Sequence, residues 1–120
     1  MAKVILIVDD DPKSLKLAKD LLQVSGYATI EATDGKQGVE LAKARKPDLI
    51  LMDIMMPNMD GYTACRAIKT DKATMRIPVI MLSALGYELN KELGKSVGAD
   101  GYVTKPFSHQ ELLNATSKFL

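Results

Sequence analysis

Val4-Ile5-Leu6-Ile7-Val8-Asp9-Asp10-Asp11-Pro12 is the stretch that decides the fold. The aliphatic run is almost entirely β-branched, as expected of a strand buried on both faces. Three carboxylates follow it without a spacer. Asp11 is placed to cap a helix, with Pro12 in the first turn, where a missing N–H costs little. Leu15, Ala18 and Leu22 then recur at helical spacing, and Gly26 reads as a C-terminal stop.

The same alternation of strand and helix continues along the chain. Ala28 to Ala32 is a weaker strand that carries Thr29 and Glu31, which suits a sheet edge. Asp34 precedes a helix through about Arg45, with Val39 and Ala42 on one face and Pro47 as its stop. Leu49 to Met52 is a third strand ending at Asp53. A loop around Pro57 and Gly61 leads into a helical face of Tyr62, Cys65 and Ile68. Pro78 opens a fourth strand, Val79 to Leu82, ending at Ser83. Leu89, Leu93 and Val97 mark a fourth helix, closed by Gly98 and with a start blurred by Gly86. Gly101 to Val103 is a very short fifth strand. Ser108 and Glu111 form a capping box before a last helix marked by Leu112, Ala115 and Phe119. Five such units, without repeats or linkers, predict an α/β fold: a doubly wound parallel sheet with helices on both faces.

Composition agrees and narrows the class. The chain has 120 residues, is 47% hydrophobic and 26% charged, and carries a net charge of +1. That suits one domain over residues 1–120 and excludes a disordered chain. No apolar run approaches the roughly 18 residues of a membrane helix. Met1 to Val8 lacks the features of a signal peptide, so a cytoplasmic location is expected. The single cysteine, Cys65, excludes an internal disulfide, and its place on a helical face reads as packing. The near-neutral charge gives no case for direct nucleic-acid binding.

In parallel sheets of this kind the site lies at the carboxyl ends of the strands. Strand one ends in Asp9, Asp10 and Asp11, strand three in Asp53, and strand four in Ser83. Thr104, Lys105 and Pro106 follow strand five. Strand two contributes no obvious polar group. Carboxylates packed together repel one another, and a hard divalent cation such as Mg²⁺ relieves that conflict. Asp11 has a competing role as a cap, and Lys105 a competing reading as a surface lysine. A cis Lys105–Pro106 bond would re-aim the lysine across the site. A metal, a carboxylate, a hydroxyl and an amine together suit phosphoryl transfer, with Asp53 as nucleophile, Lys105 neutralising phosphoryl oxygens and Ser83 donating to them. His109, in the first turn of the last helix, stands alone and has no ligand constellation.

With these residues in view, the whole chain resembles the receiver domain of two-component response regulators. The motifs are Asp9-Asp10, Asp53-Ile-Met-Met-Pro57-Asn-Met-Asp-Gly61, Ser83-Ala84 and Lys105-Pro106-Phe107, in order at the ends of strands one, three, four and five. The resemblance implies a flavodoxin-like (βα)5 fold with strand order 2-1-3-4-5. It makes Asp53 the phosphoacceptor, and Asp9, Asp10 and Asp53, with the Met55 carbonyl, the holders of Mg²⁺ (or Mn²⁺). Ser83 and Lys105 would contact the phosphoryl oxygens. Tyr102 matches the aromatic switch position, which turns inward as Ser83 is drawn to the phosphate. Ser83 stands where the family often has Thr, which puts the strength of that coupling in question.

Met55 and Leu85 match positions that tune phosphate lifetime. Both are apolar and cannot orient a water by hydrogen bonding, so a persistent acyl phosphate is expected. The resemblance further implies a histidine kinase or histidine phosphotransfer domain docking beside the first helix. It implies a downstream protein partner on the surface of the fourth helix, fifth strand and last helix, and a monomer or a phosphorylation-dependent dimer. On this reading the chain is a switch that assists its own phosphorylation and dephosphorylation and is not an enzyme. Met1 and the absence of a linker tail suggest a single-domain regulator without an output domain. The alternatives are a receiver fragment of a longer regulator, or an aspartyl-phosphate phosphatase of the haloacid-dehalogenase kind. The latter would use Asp9 as nucleophile, but Asp9, Asp11 and Lys13 give D-x-D-x-K where that family has T or V. A nucleotide or flavin binder lacks support, because no glycine-rich phosphate loop follows strand one.

Overall fold

A computed structural model describes residues 2–83 and 95–120. Five strands, β1 (Val4–Val8), β2 (Ala28–Ala32), β3 (Leu49–Asp53), β4 (Val79–Ser83) and β5 (Gly101–Thr104), form one sheet in the order β2-β1-β3-β4-β5. Every pairing is parallel. The helices are α1 (Pro12–Val24), α2 (Gly35–Arg45), α3 (Gly61–Thr70) and a C-terminal helix, His109–Ser117. The helix expected from Leu89 onward falls largely outside the described residues, as does Leu85.

The two faces of the sheet follow the strand period of two. Leu6, Val8, Ile50, Met52, Val79 and Met81 pack with Ala42 of α2 and Ala64, Cys65 and Ile68 of α3. Ile5, Ile7, Leu49, Leu51, Ile80 and Leu82 pack with Leu15, Ala18 and Leu22 of α1 and Leu112 of the C-terminal helix. This is why the inner strands read as continuous apolar runs. β2 is an edge strand, and Glu31 on it meets Lys19 of α1 at 3.1 Å.

Side chains set the helix starts. Asp11, Asp34 and Asp60 each accept a backbone N–H from the first turn of the helix they precede, and Ser108 and Glu111 form the reciprocal box. Gly26 follows α1 with φ +95°, a conformation that favours glycine. The last helix is shorter than its apolar pattern suggests. It ends at Ser117, and Phe119 lies beyond it, 36% exposed. Thr116 takes the buried position instead. Its hydroxyl donates to the Leu113 carbonyl within the helix, which leaves the methyl free to pack.

Candidate functional site

The strand ends converge because the sheet is parallel and its registers are tight. Val8 pairs with Met52, and Asp53 with Leu82, so β1 and β3 deliver Asp9 and Asp53 to the same edge. Ser83 pairs with Thr104 at the end of β5, and the Lys105 N–H donates to the Ser83 carbonyl. The Lys105–Pro106 peptide is cis. The Lys105 side chain crosses the site to Asp9, 96 residues earlier in the chain, and lies 2.7 Å from Asp9 Oδ2 and 3.2 Å from Asp53 Oδ1.

Asp9 and Asp53 are buried and Asp10 is exposed. Each of the three offers a carboxylate oxygen, and these oxygens lie within 4.8 Å of one another. Asp9 Oδ1 also accepts the Asp11 N–H at 3.0 Å. Asp11 itself turns away to cap α1, taking the Lys13 N–H and the Ser14 hydroxyl. Burial, followed by the Asp9 charge, pushes the Asp53 carboxyl up to about 6, against the opposing pull of Lys105. Burial works against the Lys105 ammonium, but its hydrogen bond to Asp9 and the charges of Asp53 and Asp9 outweigh it, and its pKa is raised.

Three carboxylates and one ammonium leave two uncompensated negative charges when all are ionised. All the donor atoms are hard oxygens, and the cluster is small. The residues therefore fit a divalent cation of the Mg²⁺ type, which takes a few carboxylates and keeps several waters.

Ser83 is buried at the end of β4. Tyr102, on β5, packs against the core on the α3 side of the sheet, and its hydroxyl is buried with no hydrogen-bond partner among the described residues. Met55 projects outward, 79% exposed, and His109 is exposed. Cys65 is buried, its thiol pushed up to about 11 by burial, which fits packing and not nucleophilic chemistry.

The loop after Asp53 is built with unusual closeness. The Gly61 N–H donates to the Ile54 carbonyl at 2.8 Å, and a Cβ at Gly61 would strike the Asp53 carbonyl and the Ile54 Cα. Asn58, with φ +66°, donates from Nδ2 to Asp34 Oδ2 at 2.9 Å. The Gly35 N–H donates to the Met59 carbonyl at 3.1 Å, where a side chain on Gly35 would not fit. Asp34 and Gly35 stand at the start of α2, far from Asn58 in sequence. The sequence places Asp34 just before a helix, and nothing in it pairs Asp34 with Asn58.

Known proteins agree with this geometry. The response regulator receiver domain model matches residues 5–117. The DNA-binding dual master transcriptional regulator RpaA of Synechocystis sp. is 46% identical over 109 residues, covering 91% of this chain and 45% of its own. Protein PilH of Pseudomonas aeruginosa is 40% identical over 116 residues, covering 97% of this chain and 96% of its own. The chain spans about half the length or less of RpaA and the other transcriptional regulators it matches. Among solved structures, the receiver domain of a P. aeruginosa sensor histidine kinase, with a magnesium ion coordinated in its active-site cleft, superposes with a TM-score of 0.92 at 32% identity, covering 99% of this chain and 98% of that one. Motifs, strand order, acidic cluster and relatives converge on one assignment: the chain belongs to the response regulator receiver domain family of two-component systems.

Proposed function

We propose that Asp53 accepts a phosphoryl group from a phosphohistidine of a histidine kinase or histidine phosphotransfer domain. The observation that carries this is the Asp53 carboxylate at a strand end, in one small cluster with Asp9 and Asp10 and 3.2 Å from the Lys105 ammonium. An Asp53 oxygen attacks phosphorus, the phosphorus–nitrogen bond breaks, and the imidazole leaves with its electron pair. Lys105 is poised to follow the negative charge from carboxylate to phosphoryl oxygen, and Ser83 to donate its hydroxyl there. Asp9, Asp10 and Asp53, with the Met55 carbonyl, would hold Mg²⁺ (or Mn²⁺). When bound, the ion supplies neutralisation of charge on the phosphoryl oxygens.

In this reading residues 1–120 act as one receiver unit in the cytoplasm, a switch that assists its own phosphorylation and dephosphorylation. Among the described residues no helix is long and apolar enough to cross a membrane. The kinase-side partner docks beside α1. There Leu17, half exposed, lines with Ser14, Lys105, Pro106 and Phe107 a cleft of about 280 Å³ adjoining the site. The gain of ~1.5–2 negative charges on Asp53 draws Ser83 and Lys105 inward. Tyr102, whose hydroxyl is already buried in this structure, is held in that inward position, and the surface of the predicted fourth helix, β5 and the C-terminal helix changes for a downstream protein partner. That surface also serves any phosphorylation-dependent dimer. PilH, of matching length, supports a stand-alone regulator; RpaA, about twice as long, supports a receiver unit joined to an effector.

The test is mass spectrometry after incubation with Mg²⁺ and a small acyl or amide phosphodonor. The chain is expected to gain one phosphoryl group, and Asp53→Asn to gain none. Labelling that survives Asp53→Asn but disappears in Asp9→Asn would overturn this reading in favour of a phosphatase-like site.

A further inference from the structure

β2 sends no side chain into the acidic cluster, yet its last residue and the three that follow it bond to Asp9 and to the loop after Asp53. At one end, the Ala32 carbonyl accepts the Asp9 N–H at 3.0 Å. At the other, the Asp34 carboxylate accepts Asn58 Nδ2 at 2.9 Å, and the Gly35 N–H holds the Met59 carbonyl at 3.1 Å. Asn58 and Met59 belong to the loop that starts at Asp53. That loop is closed by the Gly61 to Ile54 bond and presses against the Asp53 carbonyl at Gly61. A shift of the loop therefore moves the Asp53 backbone, and the Ala32–Gly35 junction is a common support for Asp9 and Asp53.

The chemistry of the pair fits a clamp. Asn58 faces a carboxylate, so it must present its amide N–H₂, a charge-assisted bond stronger than a neutral one. Its positive φ is tolerated by asparagine and poorly by most other residues, which places the side chain where it can reach Asp34. Asp34 divides its carboxylate between two tasks. Oδ1 caps α2 through the Gln37 N–H at 2.8 Å, and Oδ2 takes Asn58. Thr33 is tied into the same junction, its N–H donating to Gln37 Oε1 at 2.8 Å.

We infer that the Asp34–Asn58 clamp sets the spacing between Asp9 and Asp53, and that Asp34 and Asn58 are positioning residues for divalent-cation binding although neither touches the cation. This rests on the metal reading given above. A cluster whose oxygens must gather around one small ion within a few tenths of an ångström depends on such outer support.

Two variants separate the clamp from other roles. Asp34→Ser retains a good helix cap but cannot reach Asn58. Asn58→Gly retains the positive φ without the amide. Isothermal titration of MgCl₂ into each purified, folded chain is expected to show affinity weakened by about tenfold, at the low end for lost outer partners of metal ligands. The double variant is expected to be no weaker than either single one, because both remove the same bond. Amide hydrogen exchange at Gly61, read without metal, is expected to accelerate in both variants. Unchanged Mg²⁺ affinity in folded single variants, or additive losses in the double variant, would overturn the clamp. If the wild-type chain binds no Mg²⁺, the metal reading fails by itself. The clamp is then decided by the metal-free exchange: acceleration in both variants supports it and wild-type rates overturn it. Should either single variant fail to fold, Asn58→Asp, which tolerates the same backbone and sets a second carboxylate against Asp34, takes its place with the same expected losses.

Discussion

Asp53→Asn is expected to make the metal-free protein more stable, although it removes the group central to the proposed function. In the folded chain the Asp53 carboxyl titrates at about 6, against 3.8 for an unperturbed Asp. Between those values the folded state binds more protons than the unfolded state. The stability that the protonated group retains is therefore full below about pH 4 and is lost as pH rises through about 6. That displacement corresponds to ~3 kcal/mol at pH 7, already net of the attraction to Lys105. Because Asn is neutral and nearly isosteric, it should recover roughly 1–3 kcal/mol, or about 4–12 °C in Tm. Chemical and thermal denaturation followed by circular dichroism, with a chelator present and at steps from pH 4 to pH 7.5, measures this. The gap between variant and wild type should be small at pH 4 and fully open by pH 7. Adding Mg²⁺ should narrow it, since cation binding stabilises only the chain that holds the ion well. A variant no more stable than wild type at pH 7, or a gap that does not change with pH, would refute the assignment of buried, mutually repelling carboxylates.

Four further outcomes can be measured. Lys105→Met leaves Asp9 and Asp53 without their cation and should cost about 3 kcal/mol in metal-free urea unfolding, with much of the loss recovered in Mg²⁺. Tyr102→Phe removes a buried hydroxyl that has no partner among the described residues, so Tm should be unchanged or rise slightly, whereas a hydrogen-bonded tyrosine would lose ~1 kcal/mol. Gly61→Ala forces a methyl against the Asp53 carbonyl and the Ile54 Cα, backbone atoms that cannot yield cheaply; a loss above about 2 kcal/mol and weakened Mg²⁺ binding are expected from denaturation and titration. Met55→Asn and Leu85→Glu introduce groups able to orient water, and each should shorten the lifetime of the phosphorylated chain, timed by mass spectrometry after donor removal.

Much of this architecture was legible in the chain because the forces behind it are local. Val4–Val8 and Leu49–Met52 announce inner strands by being apolar at every position, and Thr29 and Glu31 announce an edge. Asp11 and Ser108 read as caps because their bonds reach only two or three positions along the chain, and the structure shows Asp34 and Asp60 capping in the same way. The fold rule for parallel sheets then brought Asp9, Asp10, Asp53, Ser83 and Lys105 to one edge. The limit of this reading shows at Thr116, which hydropathy places outside the core, and at Phe119, which hydropathy places inside it. An internal hydrogen bond and the actual end of the helix reverse both.

The sequence by itself determined which groups stand at the strand ends and in what order, because strand and helix periods are properties of neighbouring residues. Only the tertiary structure decided that Lys105 lies between Asp9 and Asp53, that Asp53 titrates well above an ordinary carboxyl, that the Tyr102 hydroxyl is buried, and that Asn58 reaches Asp34. All depend on distance through space, and the first three also on exclusion of water; both are set by how the five strands register in the sheet.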